Sequence, residues 1–260
     1  MAQWTIEAPA SLAFDDVTAL RVRLIAGSVA VLATDGKPSL DVSSIQGDPL
    51  TVTYEGGVLT VTHENLTWEG LLKWLRPQRH SATVTVTVPR TCAAQVGVVS
   101  ATAVMSGISS RASVKSVSGG ITLDGITGDV DASTVSGDLT LADGWLERLD
   151  ANAVSGDVTA DIDLDPLGGM HVTTVSGEVT VRLPAEADAQ VNLHSVSGDV
   201  RSEFAELTRQ VAPASRSVSG SLGAGSGQVS VTTMSGRVLL LRRAGREQPD
   251  NESEMEGEAS

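Results

Sequence analysis

The residues with the most chemical promise are acids that follow a repeated glycine. Asp129, Asp138, Asp157, Glu178 and Asp199 all stand directly after a Gly, and from Asp138 onward their intervals are 19, 21 and 21 residues. If equivalent residues stack, the carboxylates form a column along one edge. Stacked carboxylates repel, and a calcium ion relieves that repulsion through several oxygen ligands. Two features argue for solvated turn acids instead. Ser221 and Arg237 interrupt the column, and the nine-residue Gly-Gly-rich pattern of calcium-binding rolls is missing. No metal or other cofactor is therefore expected.

The other candidates for chemistry also reduce to structure. Asp161-Ile162-Asp163-Leu164-Asp165 opens like a calcium loop, but Pro166 and Val172 stand where that loop needs Gly and Glu. Strand alternation explains it, with Ile162 and Leu164 inward. Gly223-Ala224-Gly225-Ser226-Gly227 has no strand-to-helix unit around it, so it reads as a turn. A nucleophilic serine needs a base and an oxyanion site, and His63, His80, His171 and His194 show neither triad nor metal spacing. The repeated serines are expected to form an internal hydrogen-bonded ladder. Cys92 is the single cysteine and is expected to be a small buried apolar residue. No enzyme activity is expected.

These residues belong to one repeated phrase, an apolar residue followed by Ser-Gly and often an acid. Its copies are Met105-Ser106-Gly107, Val117-Ser118-Gly119, Val135-Ser136-Gly137, Val154-Ser155-Gly156, Val175-Ser176-Gly177, Val196-Ser197-Gly198, Val218-Ser219-Gly220 and Met234-Ser235-Gly236, with a weaker Ile126-Thr127-Gly128. The glycines from Gly137 to Gly220 are spaced by 19, 21, 21 and 22 residues. A fixed period of this length signals stacked coils, each unable to bury its own apolar face. Aligned on the phrase, valine precedes the glycine by two positions. Ile121, Leu139, Val158, Val179, Val200, Leu222 and Val238 follow it by two. Valine is expected in an aliphatic core ladder, glycine at a corner and the acid on a solvated rim. The predicted fold is all-β, a parallel β-solenoid of roughly 20-residue coils. An antiparallel β-sandwich is the alternative. Aliphatic ladders suit an aromatic content of only 3%.

Residues 1–95 form an N-terminal β region, 96–243 the repeats and 244–260 an acidic tail with the composition of disorder. Thr51-Val52-Thr53-Tyr54, Glu55-Gly56-Gly57 and Val58-Leu59-Thr60-Val61 read as strand, turn and strand. Ala82–Val88 alternates Val with Thr until Pro89 ends it. One segment is unlike the rest. Leu66, Trp68, Leu71, Leu72, Trp74 and Leu75, interspersed with Lys73, Arg76 and Arg79, predict a short amphipathic helix over 65–77. Trp68, Leu71, Leu72, Trp74, Leu75 and Arg76 are its candidate partner or membrane interface.

The repeated Val-Ser-Gly-Asp phrase resembles the bacterial adhesin-like β-strand-repeat proteins, a domain of unknown function related to toastrack domains. The resemblance spans about Val17 to Arg242 and implies a β-solenoid-like fold without an established catalytic site. Some relatives accompany bacterial envelope-stress systems, which implies a scaffold or sensor.

A formal charge of −14 argues against nucleic acid, since phosphate binding needs clustered Lys and Arg. Met1–Glu7 has no basic stretch followed by an apolar run, so the expected location is the cytoplasm. The expected function is a non-enzymatic scaffold with an unknown protein partner or a second copy of itself. The alternative is a peripheral stress sensor in weak contact with the inner face of the membrane.

Overall fold

In the computed structural model, residues 1–63, 80–212 and 215–243 are described. The chain winds through two long faces and a short third side. The first face contains, in spatial order, β1 (Ala2–Ile6), β5 (Leu50–Glu55), β6 (Val58–His63), the first half of β3 (Ala19–Thr34), and the first half of β8 (Ala93–Ser106). It continues through β9 (Ala112–Ser118), β11 (Thr127–Ser136), and the second halves of β12 (Leu139–Ser155) and β13 (Val158–Ser176). It finishes with β19 (Gly227–Ser235), β15 (Ala189–Ser195), β18 (Ser215–Leu222) and β17 (Thr208–Ala212).

The second face runs through β2 (Ala10–Ala13), β4 (Ser39–Gln46), β7 (Ser81–Pro89), the second halves of β3 and β8, and β10 (Ile121–Asp124). It then takes the first halves of β12 and β13, followed by β14 (Val179–Pro184), β20 (Val238–Arg243) and β16 (Val200–Ser202). The third side is short and brings Thr127, Trp145 and Asp163 into register.

Pairing is parallel through the middle of both faces, as the solenoid reading expects. Among the described residues antiparallel pairs lie only towards the ends, in β1–β5–β6, β2–β4–β7 and β15–β18–β17. Such strands turn the stack back on itself and limit how much parallel edge is left open. The antiparallel sandwich is therefore overturned for the middle of the chain. Among the described residues there is no helix. The helix expected over 65–77 lies outside the described residues.

The core is one continuous aliphatic column from Ile6 to Leu240. β8 spans residue 95 and pairs along both halves of β3, so the sheets cross that position without a break. Among the described residues the aromatic rings packed against the core lie at the ends, and Trp145 on the third side is half exposed. Trp4 meets Phe14 edge-on at 5.9 Å, and Phe14 lies 5.2 Å from Tyr54. At the other end Arg242 lies 5.1 Å above the Phe204 ring. Cys92 is buried, and burial pushes its thiol up to about 11. β7 buries Val84, Val86 and Val88, as its alternation requires.

Two expectations need correction. Coils do not stack in chain order at the C-terminal end. β19 lies between β13 and β15, and β20 lies between β14 and β16. The last coil is thus inserted between two earlier ones. The phrase Val218-Ser219-Gly220 is also not a coil corner. It lies in the middle of β18, antiparallel to β15, and Val218 is buried there.

Candidate functional site

The corner between the two faces is built from the repeated phrase, but its valine points the other way from expectation. Val117, Val135, Val154, Val175, Met234 and Val196 leave 42–58% of their surface open to solvent. The reason is strand parity. Val114, Ala132, Ala151, Val172 and Leu193 point inward, three positions before the valine. Residues three apart on a straight strand face opposite sides. The inward residue next to the corner is the one before the valine. Those residues are Ser116, Thr134, Ala153, Thr174, Thr233 and Ser195, all no more than 6% exposed. This inner column of mostly small hydroxyl residues went unnoticed in the sequence, although its recurrence as Ser or Thr was visible. Ser195 Oγ donates to the Gly236 carbonyl at 3.0 Å and accepts from the Gly198 amide at 2.8 Å. Thr134 and Thr233 hydroxyls have no partner among the described residues.

The serines of the phrase do form a hydrogen-bonded ladder, but on the outer side rather than inside. Ser155 donates to the Val135 carbonyl at 3.2 Å, Ser176 to Val154 at 3.3 Å, Ser235 to Val175 at 3.3 Å and Ser197 to Met234 at 3.0 Å. Ser136 pairs in register with Ser118 and Ser155. Each bond ties one coil to its spatial neighbour. The corner glycines do the same by close approach. A Cβ on Gly137, Gly156, Gly177, Gly236 or Gly198 would strike the carbonyl oxygen of the glycine one coil away.

From Asp138 onward the acid rim is equally occupied. Asp138 accepts the Asp157 amide at 3.0 Å, and Asp157 accepts the Glu178 amide at 2.7 Å. Because the last coil is inserted, Arg237 falls spatially between Glu178 and Asp199, and it meets the Glu178 carboxylate at 3.1 Å. Arg201 and Arg209 hold Asp199, at 2.7 and 2.6 Å, and the Arg201 hydrogen bond is the main cause of its lowered pKa. Among the described residues no three His, Cys, Asp or Glu side chains converge as a metal site. Asp188 pins the turn at Gly223–Gly227. It accepts the amides of Gly225 at 2.6 Å and Ser226 at 3.0 Å, and the Ser226 amide is the first cause of its lowered pKa.

The apolar ladder extends further than the phrase shows. Register places Val99 beside Val117 and Ile25 beside Val99, both partly exposed. Val99-Ser100-Ala101 and Ile25-Ala26-Gly27 are degenerate corners that lack the Ser-Gly pair. In the preceding coil β6 ends at His63 and β7 begins at Ser81, with the segment 64–79 between them in the chain. Trp68, Leu71, Leu72, Trp74, Leu75 and Arg76 lie in that segment, outside the described residues.

His63 stands at the head of the ladder and is 1% exposed. Its Nδ1 accepts the Ile25 amide at 3.4 Å, whereas Nε2 has no partner among the described residues. Burial lowers its pKa, nearby His80 lowers it further, and Asp48 opposes both. The unfolded chain therefore binds this proton more readily than the folded protein does. Stability should be complete above the unfolded value of 6.5 and decline as pH falls through it towards the lowered folded value. Melting temperature measured between pH 7.5 and 5 should drop by a few degrees, and His63→Leu should flatten that slope. An unchanged slope in the variant would assign it to other groups.

A cleft enclosing about 270 Å³ lies on the third side between Trp145, Leu164, Pro166, Leu183 and Pro184. Of its three acids, Asp163 is engaged by Arg243 and Asp188 by the glycine turn, while Glu186 also lines the cleft. Among the described residues no helix is long and apolar enough to cross a membrane.

The family described as Toastrack DUF4097 matches residues 94–240, more than half of the chain. A candidate adhesin from Bacteroides fragilis is 11% identical, with 90% of this chain and 97% of that one covered, at a TM-score of 0.46. A candidate cell adhesion protein from Clostridium sporogenes is 10% identical over 90% and 100% of the two chains, at 0.40. A candidate lipid-binding protein from Parabacteroides distasonis is 11% identical over 90% and 97%, at 0.38. Scores at this level leave the family assignment resting on the sequence match. None of the curated proteins matches the chain.

Proposed function

Taking as premise that the chain belongs to the Toastrack DUF4097 family, we propose that it is a non-catalytic scaffold whose outward apolar ladder docks another protein. The observation that carries this reading is the six-residue open column Val117–Val135–Val154–Val175–Met234–Val196. Six such side chains amount to roughly 450 Å² of apolar surface in one stripe, a size at which a patch often marks a contact site. Scattered exposed valines would need no explanation, whereas a continuous stripe does. The stripe is also rigid. Its backbone is fixed by parallel pairing on both sides and by the serine bonds between coils. A rigid surface loses little conformational entropy on binding.

Five of the eight phrase serines donate side-chain hydrogen bonds among the described residues. Ser155, Ser176, Ser235 and Ser197 bond to backbone carbonyls, and the rim acids bond to amides or arginines. A nucleophile needs an oriented base within reach. Ser155, Ser176, Ser197 and Ser235 have carbonyl partners, and Ser106 donates to the Asp124 carboxylate at 3.2 Å on the exposed surface, with no histidine in the pair.

A photo-crosslinking side chain at Val154, introduced into the full chain in its native cells, tests the reading. Thr140, partly exposed on the second face, is the control position. Protein adducts should form from position 154 and not from position 140. If neither Val154 nor Val175 yields an adduct, the ladder is not a docking surface.

A further inference from the structure

The geometry points to a second copy of this chain as the occupant of the ladder, with both ladders parallel and a twofold axis lying along them. This rests on reading the ladder as a docking surface, and it adds the partner and its orientation.

Repeat length is the first argument. Adjacent ladder residues are separated by one strand spacing, about 4.8 Å. A surface that meets every step needs the same spacing, and another copy of this ladder has it. An isologous contact then matches each residue with its own equivalent, so that Val117 meets Val117 and Val196 meets Val196.

Charge placement is the second argument, and it selects the orientation. The rim lies on one side of the ladder only, with the acids Asp138, Asp157, Glu178 and Asp199 and the cation Arg237 between the last two. The outward column on the other side lies two residues before the ladder on each strand. It reads Ser133, Asn152, Thr173, Thr232 and His194, with Lys115 beyond Ser133. A twofold axis along the ladder swaps the two sides. Asp138 of one copy then faces Ser133 of the other. Asp157 faces Asn152, Glu178 faces Thr173 and Asp199 faces His194. Each carboxylate meets a hydrogen-bond donor. An axis across the ladder would instead set Asp157 against Glu178 at its centre and leave Asp199 opposite Gly120, with Asp138 alone gaining a cation in Arg237; the like charges at the centre cost binding energy between chains each carrying a formal charge of −14.

Area is the third argument. The ladder and its two flanking columns would bury roughly 1,000 Å² over both copies, the lower bound for a specific contact. The pair should therefore form reversibly, in the micromolar range.

The full-length chain is suited to a direct test, because buried Cys92 leaves single introduced cysteines as the reactive thiols. Sedimentation velocity should show monomer shifting to dimer between about 1 and 100 µM. Val117→Cys, Val154→Cys and Val196→Cys should each cross-link to itself with a short bis-maleimide, and to similar extents. Val154→Glu should weaken the dimer at least tenfold while its melting temperature stays unchanged. A chain that is monomeric throughout and uncrosslinked overturns the proposal. So does cross-linking at Val154→Cys alone, the signature of opposed ladders, or a dimer indifferent to Val154→Glu. If the chain is monomeric yet position 154 captures a different protein in cells, only the identity of the occupant fails and the docking surface stands.

Discussion

Gly177→Ala should lower the melting temperature by about 6–12 °C, the shift expected when a domain of this size loses roughly 3 kcal/mol. Two penalties combine. Gly177 has φ of +123°, a region that L-residues with a Cβ occupy only under strain of about 1–3 kcal/mol. A Cβ there would also run into the Gly156 carbonyl oxygen, so one coil must lift away from its neighbour. That carbonyl belongs to backbone held on both sides by parallel pairing, and it cannot swing aside as a side chain would. Gly169→Ala is the internal control, since a Cβ there meets no atom within 4 Å. Thermal melts of both variants check the claim. Equal stability of the two would mean that the corner column tolerates a side chain and that its glycines are not structural.

Removing residues 227–243 should abolish the ordered stack beyond β13 and β14, an effect larger than that of any single substitution considered for this chain. In an ordinary solenoid the last coil contributes one interface, and its loss trims the end. Here β19 carries two neighbours, β13 and β15, and β20 carries β14 and β16. Without them β15 and β16 lose their attachment to the body. The buried residues Val229, Val231, Val238 and Leu240 leave the middle of the column. A truncation after Arg243 should by contrast melt like the full chain. Urea unfolding of the two truncations distinguishes them. The 227–243 deletion should lose a large share of its strand signal and show a reduced m-value, because less surface remains to be exposed. A deletion that unfolds with the full-length m-value would mean that β15 and β16 can close directly onto β13 and β14.

The two results together bear on function. A ladder is useful for docking only if its spacing is held, and the glycine column and the inserted coil are what hold it. Val175, Met234 and Val196 are consecutive in the ladder only because β19 lies between β13 and β15. Disrupting the inserted coil should therefore remove the docking surface as well as stability.

Much of this was legible in the chain, and the exceptions have physical causes. Period and alternation are local properties, so the all-β fold, the hairpin at Gly56-Gly57 and the buried positions Ile121, Leu139, Val158, Val179 and Val238 followed from the residues alone. The glycines at the corners followed too, because only Gly suits such φ values and close approach. The phrase valines did not. Their facing depends on which peptide carries the bend, and a shift of one residue reverses every side chain. The serines went with them, from an expected inner ladder to an outer one. Val218 showed that an identical phrase serves a corner in a parallel coil and a straight strand in an antiparallel pair.

The sequence by itself determined a stacked β architecture with a repeating corner, since a single period imposed on alternating strands leaves little else to bury the apolar residues. Only the tertiary structure decided that the last coil slides between two earlier ones. It alone set Arg237 between Glu178 and Asp199, and aligned six apolar side chains on the outside. Those outcomes are choices among pairings of near-identical strands. Near-identical repeats offer similar local energies for each neighbour, so the order in space is settled by non-local packing that no single repeat encodes.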